Sequence, residues 1–256
     1  MGQQWWRSFF DEDYFRLWGA FVTDEQSDRE AEGLRDMLDL RAGARVLDAP
    51  CGYGRLSRRL AEWGARVLGV DQSVVLLGRA EADRGAISVD RLRYLRHDLR
   101  KPLEESGFDA ALNIFSSIGY GSEKDDLAIF RTLRRAVRPG GLVVVETNHR
   151  DAVAAFLSRN ASPALRLPDG TLVVEEPRLD AVTGRVETCW HWSGPAGAGK
   201  KSASLRLYTA SELVALMERA GLKFRSAFAG CTTRPFEASG ETMGGRLAIL
   251  AERRGR

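Results

Sequence analysis

Short apolar runs alternate, between residues 40 and 150, with stretches in which apolar residues recur every three or four positions. Apolar runs are typical of strands buried on both faces, and the longer period is typical of helices with one apolar face. Strands that alternate with helices predict a doubly wound, mostly parallel α/β sheet. Five runs predict its strands, at residues 45–48, 66–70, 92–97, 108–115 and 141–149.

Two helical patterns precede the first predicted strand. Aromatic residues recur at helical spacing over residues 3–22, which predicts one aromatic helix. Ser27 followed by Glu30 is a capping-box pattern, and it predicts a second helix that ends near Gly43. We therefore expect an N-terminal helical cap over residues 1–40.

The period changes to strict alternation after the fifth predicted strand. Val186, Thr188 and Trp190 share one face of an alternating run. A run rich in glycine at 194–199 predicts a flexible loop between two strands of this kind. The pattern predicts an antiparallel β insertion at about residues 161–209, inside an α/β domain that covers residues 41–256.

The end of the chain reads as one helix followed by two strands. Thr209 and Glu212 form a second capping-box pattern, which predicts the start of that helix. Apolar runs at 224–229 and 246–252 follow it and have no helical pattern between them. We expect them to pair as antiparallel strands, and the long polar loop between them, residues 230–245, is a further candidate border of the site.

The segment between the first predicted strand and its helix carries the clearest candidate chemistry. Asp48 ends the strand, and Gly52 and Gly54 allow a ligand to approach backbone N–H groups at the helix start. A dinucleotide fingerprint needs a third glycine, but Ser57 occupies that position. Asp71 ends the second strand, where an acid can bind ribose hydroxyls. These features fit the amino-acid and nucleoside parts of S-adenosylmethionine.

On these residues the chain resembles the class I, Rossmann-like S-adenosylmethionine-dependent methyltransferases of the small-molecule type. The family's first motif, acid-x-Gly-x-Gly-x-Gly, is matched by Asp48, Gly52 and Gly54, with Pro50 in place of the first glycine. The resemblance implies a seven-stranded sheet in the order 3-2-1-4-5-7-6 and S-adenosyl-L-methionine as the cofactor, with S-adenosyl-L-homocysteine as the product. The implied cofactor-binding residues are Asp48, Pro50, Cys51, Gly52, Gly54, Arg55, Asp71, Gln72, Asp98, Leu99, Asn113 and Phe115.

Two of these positions come with a more specific expectation. Asp98 follows the third strand, where the family places an acid near the adenine amino group. Arg55 begins the helix after the glycines and can pair with the methionine carboxylate, although we favour a solvated arginine. The loop after the fourth strand lacks the Asn/Asp-Pro-Pro-aromatic pattern of the enzymes that methylate base amines or glutamine. That difference favours a small-molecule acceptor.

The predicted reaction is transfer of a methyl group to oxygen or nitrogen of a small metabolite. Tyr14 and Tyr120 are expected to orient the acceptor. His149 lies at the carboxyl end of the fifth strand and is the candidate base, because its unperturbed pKa is near 6.5; a structural role is the alternative. Aromatic residues are candidate walls of the acceptor pocket, with core packing as their alternative role: Trp5, Trp6, Phe9, Trp18, Trp190 and Trp192.

Composition narrows the remaining possibilities. The 256 residues, 44% of them hydrophobic, suffice for one domain with an insertion. The 38 basic residues are dispersed among 35 acidic ones, and the net charge is only +3, so the charge does not suggest a nucleic-acid partner. The three cysteines lack the close pairing of a metal site or a disulfide framework. Without a run of 18 apolar residues, we expect a soluble, cytoplasmic monomer or homodimer with no membrane contact. Two alternatives stay open, a nicotinamide-dependent oxidoreductase and a non-catalytic partner subunit with this fold.

Overall fold

The computed structural model describes residues 4–19, 22–159, 162–237 and 245–255. The helices within them are α1 (Trp6–Phe9), α2 (Glu12–Trp18), α3 (Asp24–Met37), α4 (Arg55–Trp63), α5 (Val74–Ala82), α6 (Glu123–Ala136), α7 (Arg150–Leu157) and α8 (Ala210–Arg219). The strands are β1 (Arg45–Asp48), β2 (Arg66–Asp71), β3 (Leu92–Arg96), β4 (Phe108–Asn113), β5 (Val137–Asn148), β6 (Ala164–Arg166), β7 (Leu172–Asp180), β8 (Arg185–Gly194), β9 (Gly197–Arg206), β10 (Leu222–Ala229) and β11 (Arg246–Arg253). None of the described helices has both the length and the apolar character that a membrane crossing requires.

Seven of these strands form the central sheet, in the order β3-β2-β1-β4-β5-β11-β10. Strands β1 to β5 pair in parallel, and β11 runs antiparallel to both of its neighbours. The predicted order 3-2-1-4-5-7-6 is therefore confirmed when the inserted strands are left out of the numbering. Because the strand order reverses between β1 and β4, a crevice opens at their carboxyl ends, and such a crevice is where open α/β sheets bind ligands.

The central sheet is buried on both faces. Ala111 of β4 packs in one apolar layer with Phe130 of α6, whereas its neighbours Ala110 and Leu112 pack in the opposite layer with Leu34 of α3. Phe130, Leu34 and Leu112 are fully buried, and burial of one such side chain contributes about 1.5 to 3 kcal/mol. This two-sided core fixes the ends of β1, β2 and β4 relative to one another.

The N-terminal region contains two short helices, so the prediction of one aromatic helix over residues 3–22 is wrong in its described part. Positions 3, 20 and 21 lie outside the described residues. Helix α1 ends at Phe9, and the Asp11 side chain accepts a hydrogen bond of 3.0 Å from the backbone N–H of Tyr14. Asp11 therefore caps a new helix, α2, in the middle of the aromatic pattern. The aromatic residues keep their helical spacing, but the chain bends between them.

The N-cap of helix α3 lies four residues before the predicted one. Thr23 is the N-cap and accepts from the backbone N–H of Gln26 at 3.1 Å, while the Ser27 hydroxyl, inside the helix, donates to the Thr23 carbonyl at 3.0 Å. The helix also ends at Met37, well before Gly43. In contrast, the capping box predicted at the start of α8 is confirmed, because Thr209 and Glu212 make both reciprocal hydrogen bonds.

The insertion after β5 is a four-stranded antiparallel sheet in the order β6-β7-β8-β9. Gly194 pairs with Gly197, so two residues turn the chain where a flexible loop over 194–199 was predicted, and that part of the prediction is wrong. Helix α7 lies between β5 and this sheet, and the sequence did not predict it. None of its side chains is buried.

Candidate active site

The two glycines after β1 have different roles. Both adopt left-handed conformations, with φ of 57° at Gly52 and 78° at Gly54. A Cβ at Gly52 would have no atom within 4 Å, so the backbone there faces open space. A Cβ at Gly54 would overlap the phenol of Tyr94 on β3. Gly54 is therefore needed for packing at the start of α4, and it does not line the cavity described below, contrary to its predicted role in ligand contact.

Ser57, at the position of the missing third glycine, anchors the acid at the end of β1. Its hydroxyl donates to Asp48 Oδ2 at 2.5 Å, and both side chains are buried. Burial raises the pKa of Asp48 to about 6, against the opposing effect of this hydrogen bond. The departure from the dinucleotide pattern thus adds a hydrogen-bond donor to the site, and Asp48 keeps further acceptor capacity toward the crevice.

Asp71, at the end of β2, holds the glycine loop from the other side. Its Oδ2 accepts from the Gly52 N–H at 3.0 Å, and its Oδ1 accepts from the Ser73 N–H at 2.8 Å. The side chain is only 7% exposed, and burial raises its pKa. A carboxylate has about four acceptor positions, so some acceptor capacity remains for a ligand. Asp71 therefore orders the loop and presents this acceptor capacity beside it.

Asp98 forms an ion pair that the sequence analysis missed. Arg100 donates from Nε to Oδ1 at 2.9 Å and from Nη2 to Oδ2 at 2.6 Å, and this guanidinium holds the pKa of Asp98 below its usual range. The guanidinium also lies 5.5 Å from the ring centroid of Trp6 in the cap. In the sequence, the only sign of this ion pair is a basic residue two positions after an acid. The contact of Arg100 with Trp6 depends on where the N-terminal cap packs.

These side chains line one cavity of about 160 Å³ at the carboxyl ends of β1, β2 and β4. It brings together ten of the twelve predicted cofactor-binding residues: Asp48, Pro50, Cys51, Gly52, Arg55, Asp71, Gln72, Asp98, Leu99 and Phe115. Gly54 and Asn113 are the two that do not line it. Asn113 is fully buried, donates to the Ala49 carbonyl at 2.7 Å and accepts from Ser117, so it joins β4 to the loop after β1.

Arg55 is not a solvated arginine, so the interpretation favoured from the sequence is wrong. Its side chain is 9% exposed, and Nη2 lies 2.5 Å from Glu30 Oε2 on α3. Ser27 Oγ accepts a hydrogen bond of 3.4 Å from Nη1. The ion pair lacks hydrogen-bond geometry, so Nη2 is buried without a hydrogen-bond partner beside the first cavity. A buried guanidinium with an unsatisfied N–H is suited to bind a carboxylate.

The chain is strained where β4 ends. Phe115 and Ser116 have positive φ values of 70° and 58°, which cost free energy for residues other than glycine. Glu146 of β5 holds this bend, because its carboxylate accepts from the Phe115 N–H at 2.8 Å and its carbonyl accepts from the Ser116 N–H at 3.1 Å. Arg246 forms a buried ion pair with Glu146 and lies over the Phe115 ring. An acid inside an apolar strand was the signal for this arrangement.

A second cavity, of about 300 Å³, lies between the N-terminal helices, the bend after β4 and the inserted sheet. The residues that line both cavities are Phe10, Tyr14, Trp18, Phe115 and Tyr120. Burial raises the pKa of Tyr14 and of Tyr120, so both phenols keep their protons at neutral pH and can donate hydrogen bonds. The two cavities are therefore neighbours that share one aromatic wall.

The predicted aromatic walls divide between the cavities and the core. Trp5, Phe9 and Trp190 line the second cavity, and Trp6 lines the first. Trp192, predicted as a wall, instead packs in a small core with Leu17, Leu167 and Val173, and it lines neither cavity. Alternation along β8 puts both tryptophans on the same face of the strand, but Trp192 lies deeper beneath the cap.

His149 is not part of either cavity. Its ring lies 5.1 Å from the ring of Phe236, and its backbone N–H donates to the Gly245 carbonyl at 2.8 Å. Burial lowers the pKa of the imidazole below its ordinary value. The structure therefore places the candidate base apart from Tyr14 and Tyr120, in a packed position that fits the structural alternative.

The sequence and the fold both have known counterparts. Residues 46–141 match the family model described as a methyltransferase domain. A ubiquinone biosynthesis O-methyltransferase from Rhizobium etli is 35% identical over 156 residues, which are 59% of this chain and 56% of that protein, so the chain spans little more than half of this relative. Residues 46–141 therefore match a methyltransferase domain, and the fold of the chain is that of solved S-adenosylmethionine-dependent methyltransferases.

Solved methyltransferase structures extend the likeness of fold to nearly the whole chain. The CcbJ methyltransferase from Streptomyces caelestis superimposes with a TM-score of 0.79 at 18% identity, covering 97% of this chain and 99% of that one. A structure of CalS10 from Micromonospora echinaspora, an amino pentose methyltransferase with S-adenosylmethionine bound, gives 0.67 at 19% identity, covering 94% and 97%. At these identities the likeness is one of fold, and it includes the N-terminal helices and the insertion.

The first cavity fits S-adenosylmethionine in three respects. The open face of Gly52 leaves room for a ligand against the backbone. Arg55 offers a buried N–H without a hydrogen-bond partner, and Asp71 has acceptor positions to spare. In S-adenosylmethionine, the carboxylate is complementary to Arg55 and the pair of ribose hydroxyls is complementary to Asp71.

Proposed function

We propose that this methyltransferase transfers a methyl group from S-adenosylmethionine to oxygen or nitrogen of a small-molecule metabolite. The observation that carries the proposal is the pair of neighbouring cavities that share Phe115, Tyr14 and Tyr120. One cavity has the polar groups that suit the cofactor, and the other is mostly apolar, as pockets for small organic molecules are. When bound, S-adenosylmethionine supplies an electrophilic methyl group.

In this proposal each polar side chain of the first cavity has a separate task. Asp71 accepts hydrogen bonds from both ribose hydroxyls, and Asp98 accepts one from the adenine amino group. Arg55 pairs with the methionine carboxylate, and Asp48 attracts the ammonium group of the same moiety. Phe115 packs against the cofactor where the two cavities meet. Arg55 and Asp48 are opposite in charge to the groups they bind, and the carboxylates of Asp71 and Asp98 accept from neutral donors, so each hydrogen bond has one charged member.

The second cavity orients the acceptor. Tyr14 and Tyr120 keep protonated phenols at the shared wall, where they can donate to an acceptor oxygen or nitrogen. Alignment of the acceptor with the methyl group can supply part of the roughly 7 to 11 kcal/mol available from proximity and orientation. His149 has no role in this proposal, because it lines neither cavity.

The relatives support both acceptor atoms. The matched relative from Rhizobium etli is named an O-methyltransferase, and one structural neighbour is named an amino pentose methyltransferase. We further propose action in the cytoplasm as a monomer or homodimer, without a nucleic-acid or membrane partner. The dispersed charge and the three unpaired cysteines support this setting.

Calorimetry and a methyl-transfer screen test the proposal in sequence. Titration should show binding of S-adenosylmethionine and S-adenosylhomocysteine and no binding of NAD; the reverse result would favour an oxidoreductase. Incubation with radiolabelled S-adenosylmethionine and a metabolite library should then label at least one small molecule. Cofactor binding with no labelled product across alcohols, phenols and amines would favour a non-catalytic partner subunit.

A further inference from the structure

The face of the inserted sheet that borders the second cavity carries one acid in an otherwise apolar row. Glu175 lies on β7 between Val173 and Pro177, and it is opposite Trp190 of β8. Glu175, Pro177 and Trp190 all line the second cavity. The next residue, Glu176, points to the other face of the strand and is exposed. A single acid turned toward an aromatic cavity needs a physical explanation, because half-buried acids normally have a partner.

No cation of the described residues pairs with Glu175. The other charged residue among those lining the cavity is Arg246, whose guanidinium is already paired with Glu146. Lys201 of β9, opposite Trp190, binds Asp11 of the cap at 2.6 Å. Burial raises the pKa of the Glu175 carboxyl, and the neighbouring indole N–H of Trp190 only partly offsets that effect. The described residues that line the cavity therefore leave the Glu175 carboxyl without a cationic partner of its own.

Four aromatic rings form a closed ring of contacts, and one of them, Trp190, lies opposite Glu175. The ring centroids of Trp190 and Trp18 are 4.6 Å apart, and those of Trp18 and Tyr14 are 6.3 Å apart. Phe9 completes this ring of contacts, at 5.6 Å from Tyr14 and 5.1 Å from Trp190. All four line the second cavity. The faces of aromatic rings attract cations, and the attraction grows where water is excluded.

We infer that Glu175 and these four aromatic residues bind the ammonium group of an amine, which makes cationic amines the acceptor class of this enzyme. The inference rests on the proposed function, and it concerns the acceptor cavity alone. An ammonium group would pair with the Glu175 carboxylate and contact the aromatic rings at once. Because an ammonium nitrogen has no free electron pair, it must pass one proton to the Glu175 carboxylate before the resulting amine can take a methyl group. A neutral alcohol of the same shape would fill the apolar space but leave the acid unpaired. Glu175 thus selects the acceptor by charge.

Binding of a matched pair of probes tests this without a need for turnover. 2-Phenylethylamine is a cation near neutral pH, and 2-phenylethanol is its neutral counterpart of nearly equal shape. In calorimetry on the full chain saturated with S-adenosylhomocysteine, the amine should bind at least about tenfold more tightly than the alcohol, the ratio expected for one charge-assisted contact. Glu175→Gln should remove this preference and leave the affinity for the alcohol within about twofold, because the amide keeps the shape of the side chain.

Glu176→Gln is the matched control, since it removes the same charge from the opposite face of the same strand. This variant should keep the preference for the amine. The inference is overturned if the wild-type chain binds both probes equally or binds no amine, or if the two glutamine variants weaken amine binding to the same degree. S-adenosylhomocysteine titrated into the same samples separates the two proposals. Failure of that titration would count against the proposed function, whereas normal cofactor binding with no amine preference would count against the acceptor class alone.

Discussion

The two cavities are built in opposite ways. The first is held by contacts between residues near in sequence, such as Ser57 with Asp48, 9 positions apart, and Gly52 with Asp71, 19 apart. The walls of the second meet only after folding, because Trp5 donates to the Ser204 carbonyl across 199 positions and Lys201 binds Asp11 across 190. In the proposed function, consecutive strand ends supply most of the polar contacts to the cofactor, and the cap and the insertion supply most of the contacts to the acceptor. Substitutions should therefore affect the two cavities separately.

The largest expected effect is on cofactor affinity. Asp71→Ala should weaken S-adenosylhomocysteine binding a hundredfold or more, because two hydrogen bonds to a charged group are worth about 1.5 to 3 kcal/mol each. Calorimetry measures the change. Asp71→Asn keeps the shape of the side chain, so its affinity for S-adenosylhomocysteine should lie between those of the wild-type chain and of Asp71→Ala. Binding of 2-phenylethylamine should change little. Equal losses of both ligands would show that the cavities are not separable.

The next largest effect is the pH dependence of stability that Asp48, the buried acid at the end of β1, should cause. The pKa of Asp48 is about 6 in the folded chain against 3.8 ordinarily, so between these values the folded chain holds a proton that the unfolded chain has released. The free energy of unfolding should therefore fall as pH rises from about 4 to about 6, by about 3 kcal/mol for two pKa units. Asp48→Asn should lose this dependence in urea unfolding of the ligand-free chain. Parallel pH profiles for the two proteins would contradict the assignment.

The two glycines offer a contrast within one loop. Gly54→Ala should destabilise the fold by about 1 to 3 kcal/mol, through strain and overlap with Tyr94, and lower the melting temperature by several degrees. Tyr94→Phe in the same chain should recover part of this loss. Gly52→Ala meets no neighbour, so it should cost about 1 kcal/mol in stability and reduce cofactor affinity. If both variants lost stability alone, the open face of Gly52 would not belong to the cofactor site.

The smallest expected effect is at His149, outside both cavities. With an acceptor in hand, His149→Ala should lower the rate less than about threefold, well short of the roughly 10² to 10⁴ that a general base contributes. Steady-state kinetics give the answer, and melting curves separate a loss of stability from a loss of chemistry. A hundredfold fall in rate with an unchanged melting temperature would restore His149 as the base.

The contrast between the two cavities also explains which parts of the structure could be predicted from the sequence. The central strands and the acids at their ends follow from local patterns, because an apolar strand, its terminal acid and the next helix are contiguous. The strand order and the full set of cofactor-binding residues were implied by the resemblance to the methyltransferases. Ser57 shows the limit of such a motif. The missing glycine argued against a dinucleotide, but the hydrogen bond from Ser57 to Asp48 depends on the register of α4 against β1.

The second cavity lies beyond local patterns. Trp190 and Trp192 carry the same signal of alternation, and only the position of the cap decides which lines the cavity. The aromatic pattern predicts one helix, but Asp11 caps a new helix in the middle of it. The periodicity of the aromatic residues does not show this break. Glu175 carries no motif, and its place in the cavity is visible only once β7 and β8 are paired.

A crystal structure of the chain with S-adenosylhomocysteine tests the two-cavity account most directly. The account predicts ribose hydroxyls within hydrogen-bond distance of Asp71, the amino-acid carboxylate at Arg55, and the sulfur beside Phe115, facing the second cavity. A nucleoside bound elsewhere, or a sulfur turned away from the wall that the cavities share, would contradict it.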